Sequence, residues 1–173
     1  MFSKFITMAL NAYLSIKGQK QGQIKGGVTQ KGKEGWIAVY AFHHEIVSPR
    51  DSASGLPTGK RQHKPLTITK EIDKSTPVLL QVLVNNENLT EVILRFYGPD
   101  SKGTGVEKLV YTIKLTNASI ISIADDMLNN KTEEGIKMPV LEMLSFSYQK
   151  IEWVWTDGSI TANDDWSSAA VKG

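Results

Sequence analysis

Apolar and polar residues alternate along most of this chain. Leu109, Tyr111, Ile113 and Leu115 interleave with Val110, Thr112, Lys114 and Thr116, which is the period of a strand with one face against a core. The same period-two pattern fits residues 10–16, 36–47, 66–72, 89–97, 119–124 and 144–155. Seven or more strands predict a β-sandwich or barrel, and 173 residues suit one domain with one core. In the last long segment Leu144, Phe146 and Tyr148 share one parity and Ile151, Trp153 and Trp155 the other. The apolar face therefore changes sides near Gln149 and Lys150, which predicts a bulge or sharp twist of the kind that carries a strand round a barrel corner.

One segment departs from this pattern. Val78, Leu79, Val82 and Leu83 recur at helical spacing, with Ser75 and Thr76 as cap candidates and Pro77 in the first turn. The helix should end at Asn85 and Asn86, which tolerate a left-handed backbone, and its apolar face should lid one barrel opening. Residues 48–64, rich in Ser, Gly and Pro and carrying Arg50, Lys60, Arg61 and Lys64, read as a long loop, and loops of that length inside compact domains are usually functional or disordered. Residues 18–35 read as a second exposed loop, with a short strand around Ile24–Val28. Several strands are apolar on both parities: Val92, Leu94 and Phe96 against Ile93 and Tyr97, and residues 36–47 likewise. A lone barrel buries one face of each strand, so the helix, a loop or another subunit must cover the surplus.

Composition acts mainly by exclusion. Twenty Lys and Arg offset 18 Asp and Glu, a formal charge of +2, which argues against nucleic acid held by counterion release. There is no Cys, so disulfides, thiolate metal sites and Cys nucleophiles are excluded. No run approaches the roughly 18–20 apolar residues of a membrane span, so no membrane anchor is expected, and the start lacks a signal-peptide pattern.

Motifs with known mechanics are absent or fail. Gly55 to Arg61 resembles a phosphate-binding loop, but the Gly spacing is one residue short and Arg61 stands where a magnesium-binding hydroxyl belongs. His43 and His44 are adjacent on a strand and point to opposite faces, so they cannot chelate one ion from that strand alone. One is expected to pack inward and the other to meet solvent or a neighbouring subunit. Asp125–Asp126 and Asp164–Asp165 read as turn and cap residues, and no nucleophile elbow exists. Tyr148, Trp153 and Trp155 read as core packing before they read as a stacking platform. No catalytic, cofactor or metal residues are expected.

At this point longer blocks carry a resemblance. Ala9 to Gly18 (ALNAYLSIKG), His44 to Asp51 (HEIVSPRD), Gly55 to Pro65 (GLPTGKRQHKP), Thr69 to Pro77 (TKEIDKSTP), Lys114 to Ile120, Ser147 to Trp153 and Asp164–Asp–Trp166 follow in order along nearly the whole chain. Together they resemble the Hcp (haemolysin-coregulated protein) family of type VI secretion systems. The resemblance implies a mainly β fold, a small barrel of two packed antiparallel sheets with one flanking helix, assembling into hexameric rings. It implies a structural role without a cofactor: a homohexamer whose rings stack into a hollow tube, with the spike protein VgrG, the contractile sheath and small effectors in the lumen as partners. It also implies synthesis in the bacterial cytoplasm and export through the type VI apparatus, without a signal peptide, to the extracellular space or a target cell.

In that family the long loop projects toward an adjacent ring or subunit. Here its expected assembly residues are Ser48, Pro49, Arg50, Asp51, Gly55, Leu56, Pro57, Gly59, Lys60, Arg61, His63 and Lys64. The basic residues offer charge-assisted contacts, and Gly55, Pro57 and Gly59 set the shape. Residues 8–166 are expected to form the domain. Residues 1–7 precede the usual family start and read as an alternative initiation or an unstructured extension, and 167–173 as a tail. Ending soon after Trp166, the chain resembles the structural form without a fused toxin domain. The alternative reading is a monomeric β-sandwich module binding a sugar or other small ligand through its terminal Trp cluster.

Overall fold

The computed structural model describes residues 10–100 and 103–166; the extension expected at 1–7 and the tail expected at 167–173 lie outside them. Strand β1 (Asn11–Gly18) turns into β2 (Gly22–Ile24) and pairs along its other edge with β8 (Leu89–Pro99). The sheet then runs antiparallel through β9 (Glu107–Asp126) and β10 (Leu141–Trp155). Beyond β10 it divides. The first part of β10 pairs with β7 (Leu66–Glu71), and the second part with β11 (Ile160–Asp165).

Closure comes from residues 37–43. Strand β3 (Ile37–Val39) lies on the edge of β1, and β4 (Ala41–His43) lies on the edge of β7, so one segment covers both margins of the nine-stranded sheet. The chain changes partner at Tyr40, whose N–H donates to the Thr69 carbonyl at 2.8 Å. Edge amides that would otherwise invite foreign strands are thereby paired. A second, two-stranded sheet joins β5 (Ile46–Val47) to β6 (Gln62–His63). The expected mainly β barrel with one flanking helix is what is observed. The segment read as a single strand, 36–47, is three short ones, whereas 109–116 and 119–124 are one strand of 20 residues.

Helix α1 (Thr76–Val84) follows the expected signals. Pro77 sits in its first turn, Asn85 caps its end, and Asn86 takes the left-handed φ of 49°. Leu79 and Val82 enter the barrel core with Leu14, Ile68, Leu115 and Phe146. Ser75 makes no side-chain cap to the helix; its hydroxyl donates to Asp73 instead.

The face change near Gln149 is real, and it is a twist without a bulge. The β9–β10 ladder skips Asn117 and Gln149 but keeps its register on both sides; the register shift lies earlier, between Ser145 and Phe146. The buried set switches parity on three neighbouring strands at one level: Leu89 to Val92, Leu115 to Ala118, and Tyr148 to Ile151. Asn117, in the middle strand, has φ of 49°, and its amide donates to the Gln149 side chain at 2.9 Å. One crease thus bends three strands together, and all three keep an apolar face inward on either side of it.

The surplus apolar surface divides. On the outer face of β8, Tyr97 packs edge-on against Tyr13 at 5.7 Å, the Lys33 ammonium lies 3.9 Å over the Tyr97 ring, and Arg95 lies over Trp36. Residues 25–36 therefore cover this part from within the chain. Gly26 makes the close approach possible: a Cβ there would meet Ile37 and the Trp36 carbonyl at 2.5 Å. Tyr40, Phe42 and Ile46 stay exposed.

Two charged residues occupy inward positions. Lys70 continues the buried parity of Leu66 and Ile68, and Glu142 that of Leu144 and Phe146; the two are cross-strand partners and fully buried. The Lys70 ammonium donates to Glu142 Oε2 at 2.7 Å, the Glu71 carbonyl at 2.8 Å, and Thr76 Oγ1 at 3.1 Å. Thr76 in turn donates to Glu142 Oε2 at 2.6 Å, which ties the start of α1 to the barrel floor. Breaking such a pair leaves one charge uncompensated, whereas replacing both is tolerated. Lys70→Met alone should lower stability to urea by about 3–5 kcal/mol, and Lys70→Met with Glu142→Leu should restore it to within about 1 kcal/mol of wild type or above it. Equal losses in the single and double variants would contradict this account of the pair.

Candidate functional site: the arm and its anchor

Residues 48–64, expected to be a loop without structure of its own, form a ribbon. The β5–β6 pair makes its base, Lys64 N–H donates to the Glu45 carbonyl at 3.0 Å, and Thr58 N–H to the Pro49 carbonyl at 3.0 Å. Arg50 and Pro57 bridge farther out. The tip turns on Asp51, whose carboxylate accepts the N–H of Ala53 at 3.1 Å and both the N–H and hydroxyl of Ser54 at 2.7 Å. These bonds, led by the Ser54 hydroxyl, hold the Asp51 carboxyl below its ordinary range. Gly55 follows with φ of 70°, a conformation that favours a residue without Cβ. Composition alone suggests mobility; the carboxylate-capped turn supplies order instead.

The expected assembly residues fall into two groups. Ser48, Arg50, Asp51, Gly55, Leu56, Pro57, Gly59, Lys60 and Lys64 are exposed, with Leu56 at 64% the most prominent apolar side chain of the arm; Pro49 is half-buried. Arg50 donates to the Gly55 carbonyl at 3.2 Å and so braces the turn. Lys60 and Lys64 have no ion pair among the described residues. Arg61 and His63 belong to the second group, because both turn back onto their own barrel.

Their target is the C-terminal strand pair. The Arg61 Nε donates to Asp164 Oδ2, and its Nη2 to the Asp165 carbonyl at 2.9 Å. His63, with its side chain 1% exposed, approaches the same Asp164 oxygen with Nε2 at 2.6 Å and the Tyr148 hydroxyl with Nδ1 at 2.9 Å. His44, on the other leg of the arm, places Nε2 2.7 Å from that hydroxyl. Trp166 packs its ring 5.1 Å from His63, and Trp153 lies 6.5 Å from His44. Both legs are therefore fastened to one phenol on β10, and one of them also to a carboxylate on β11.

Charge follows from these contacts. The Arg61 guanidinium, and after it the His63 bond, holds the Asp164 carboxyl below its ordinary value despite partial burial. Burial, reinforced by the Asp164 charge, pushes the Tyr148 hydroxyl up, so it remains protonated. Burial lowers the His44 imidazole, with His63 and His43 adding repulsion. An ionised Asp164 only accepts, so His63 Nε2 carries a hydrogen, and in the neutral ring Nδ1 is bare. The bonds then run one way: His44 Nε2–H to the Tyr148 oxygen, Tyr148 O–H to His63 Nδ1, and His63 Nε2–H to Asp164. His43, by contrast, faces outward with its side chain 74% exposed, which is the division expected for adjacent strand residues.

Sequence reasoning places Arg61 and His63 on the arm but misses His44, Tyr148 and Asp164 as their anchor. Tyr148 reads as packing from the pattern, and it is indeed 8% exposed, while Trp155 of the same aromatic set is 47% exposed. The Gly55–Arg61 fragment lies in the ribbon, away from any helix N-terminus, so the setting of a phosphate loop is missing.

Comparison with known proteins places this geometry. The family model described as type VI secretion system effector, Hcp, matches residues 13–155. The "Major exported protein" of Pseudomonas aeruginosa is 39% identical over 170 residues, covering 93% of this chain and 98% of the relative. The secreted protein Hcp3 from the same species has a solved structure with a TM-score of 0.75 at 33% identity, covering 92% of this chain and 100% of that one. A variant of Hcp1 from E. coli EAEC 042 aligns with a TM-score of 0.80 at 31% identity, covering 91% of this chain and 99% of that one.

Because folded Asp164 gives up its charge less readily than an unfolded Asp, its contribution to stability is complete above about pH 4 and is lost as pH falls through the folded value. Asp164→Asn should therefore be less stable than wild type at neutral pH, and the gap should narrow as pH falls below about 4 in a series of urea titrations. A gap that persists undiminished at the acid end would show that the carboxylate charge is not what anchors the arm.

Proposed function

This chain belongs to the Hcp family of type VI secretion system proteins, and from that premise we propose that it is a structural ring subunit of the secretion tube. Copies close into hexameric rings, rings stack into a hollow tube, and the tube is propelled into target cells carrying effectors. The subunit itself turns nothing over and needs no cofactor. Its partners are further copies of itself, the spike protein VgrG, the contractile sheath and small effectors in the lumen.

One observation carries the reading. The sheet is closed, so the barrel needs no further cover for its core, yet large apolar side chains crowd one end of it. Met127, Leu128, Ile136 and Met138 lie exposed on the connection from β9 to β10, with Ile72 and Met143 on the adjoining strand ends. Ile72 N–H donates to the Val140 carbonyl at 3.2 Å, which brings the end of β7 to that connection. Gly135 packs so closely on Asn129 that a Cβ there would meet its carbonyl at 2.0 Å, folding the connection back on itself. Large apolar groups exposed along one connection are candidates for protein contact, and in a ring of identical copies every subunit has a neighbour to cover them.

The arm supports the stacking step. It projects as a preformed ribbon with Leu56, Lys60 and Lys64 free to contact another ring, so little ordering cost remains for assembly. Arg61 is engaged inside its own chain, so the outward charge contacts in this reading are Lys60 and Lys64.

Two variants separate the steps under negative-stain microscopy. Ile136→Glu with Met127→Glu should leave the circular dichroism of the fold intact and abolish rings. Lys60→Glu with Lys64→Glu should leave rings of normal diameter and shorten tubes, because removing one charge-assisted hydrogen bond costs about 1.5–3 kcal/mol and weakens association about tenfold or more. Intact rings in the first variant would overturn the ring surface, and wild-type tube length and export in the second would overturn the stacking role.

A further inference from the structure

The fastening of the arm is made of titratable groups joined in one hydrogen-bonded chain. With both rings neutral and Asp164 ionised, His44 donates to Tyr148, Tyr148 to His63, and His63 to Asp164. A second proton on His63 would occupy Nδ1, the acceptor that Tyr148 needs. The phenol would then have to turn its hydrogen to His44, which accepts only with a bare Nε2; with both rings protonated the phenol meets two ring N–H donors and its own hydrogen loses its buried acceptor. The Asp164 charge, which would favour an imidazolium on His63, is shared with the Arg61 guanidinium. A proton on the free nitrogen of His44 would add a cation in a half-buried site facing His63 and His43.

The surrounding charges are of both signs. On the arm legs they are His43, Glu45, Arg61 and Lys64; Glu45 lies 3.9 Å from the exposed His43 ring. On β10 they are Lys150 and Glu152, the cross-strand partners of Asp165 and Asn163, and on β11 they are Asp164 and Asp165. Trp153 and Trp166 supply uncharged ring faces to His44 and His63.

We propose that the chain His44–Tyr148–His63–Asp164 is a proton-operated latch: with both imidazoles neutral it holds the two legs of the arm on the barrel, and acidification releases the arm. That this matters for assembly rests on the arm being the stacking element; the latch itself does not. The sign follows from His44. Its folded form takes up a proton less readily than a released one, so the latched state has its full advantage above pH about 6.5 and loses it as pH falls below that value.

The experiment is hydrogen exchange of the arm amides, residues 46–63, in single rings of the full-length protein too dilute to stack. It is run at about pH 7.5 and about pH 5.5, either side of the ordinary imidazole range, corrected for intrinsic exchange, with the β9 amides as a control for the fold. Wild-type arm protection should fall by about tenfold or more at the lower pH while β9 is unchanged, and Tyr148→Phe should be weakly protected and insensitive to pH. Equal wild-type protection at both pH values would overturn the latch whether or not the variant folds, and so would a Tyr148→Phe arm that keeps the wild-type pH response. The outcome is separable from the stacking role, which is read by tube length in Lys60→Glu with Lys64→Glu: either result can fail while the other stands.

Discussion

The structure depends on one topological constraint: a single segment, residues 37–43, satisfies both margins of the main sheet. Its first half extends β1 and its second half extends β7, with the switch at Tyr40. This closure pairs the edge amides of β1 and β7 that would otherwise recruit strands nonspecifically, while β11 is paired on one side only, with β10. It also decides where the arm starts, because the chain leaves the sheet immediately after β4 and returns immediately before β7. The crease through β8, β9 and β10 makes closure possible by letting long strands turn while an apolar face remains inside.

Polar interactions then fasten what the sheet leaves loose. Lys70 and Glu142 tie the start of α1 to the barrel floor, and Tyr148 with Asp164 ties both legs of the arm to the other end of β10. Both devices place charged or titratable side chains where an apolar residue would pack as well. Such groups add geometric definition more than stability, since a misplaced hydrogen bond in a buried site is costly. A subunit that must present the same surfaces to every neighbour benefits from that definition.

Local patterns were legible wherever a residue's environment is set by its own strand or turn. The strand read over Leu109 to Thr116 is there, with burial alternating from Ile113 to Thr116, and the Pro77 start and Asn86 stop of α1 fall where the local signals put them. What was not legible is set by residues far away in sequence. The break at Tyr40 reflects a change of partner strand, the order in the arm comes from pairing between Val47 and Gln62, and the anchor joins His44 and His63 to side chains far later in the chain. A signal for the buried pair was present in the chain: Lys70 and Glu142 both sit on inward parity, each next to two apolar residues of the same face. The residues of the arm were named from the family resemblance, whereas the anchor at His44, Tyr148 and Asp164, and the division between outward Lys60 and Lys64 and inward Arg61 and His63, came only from the folded geometry.

The central claim is that apolar side chains left outside a closed barrel are covered by identical copies. Native mass spectrometry of the purified full-length protein at micromolar concentration tests it most directly. The account requires a dominant species of six times the chain mass, whereas a spectrum of single chains at that concentration would contradict it.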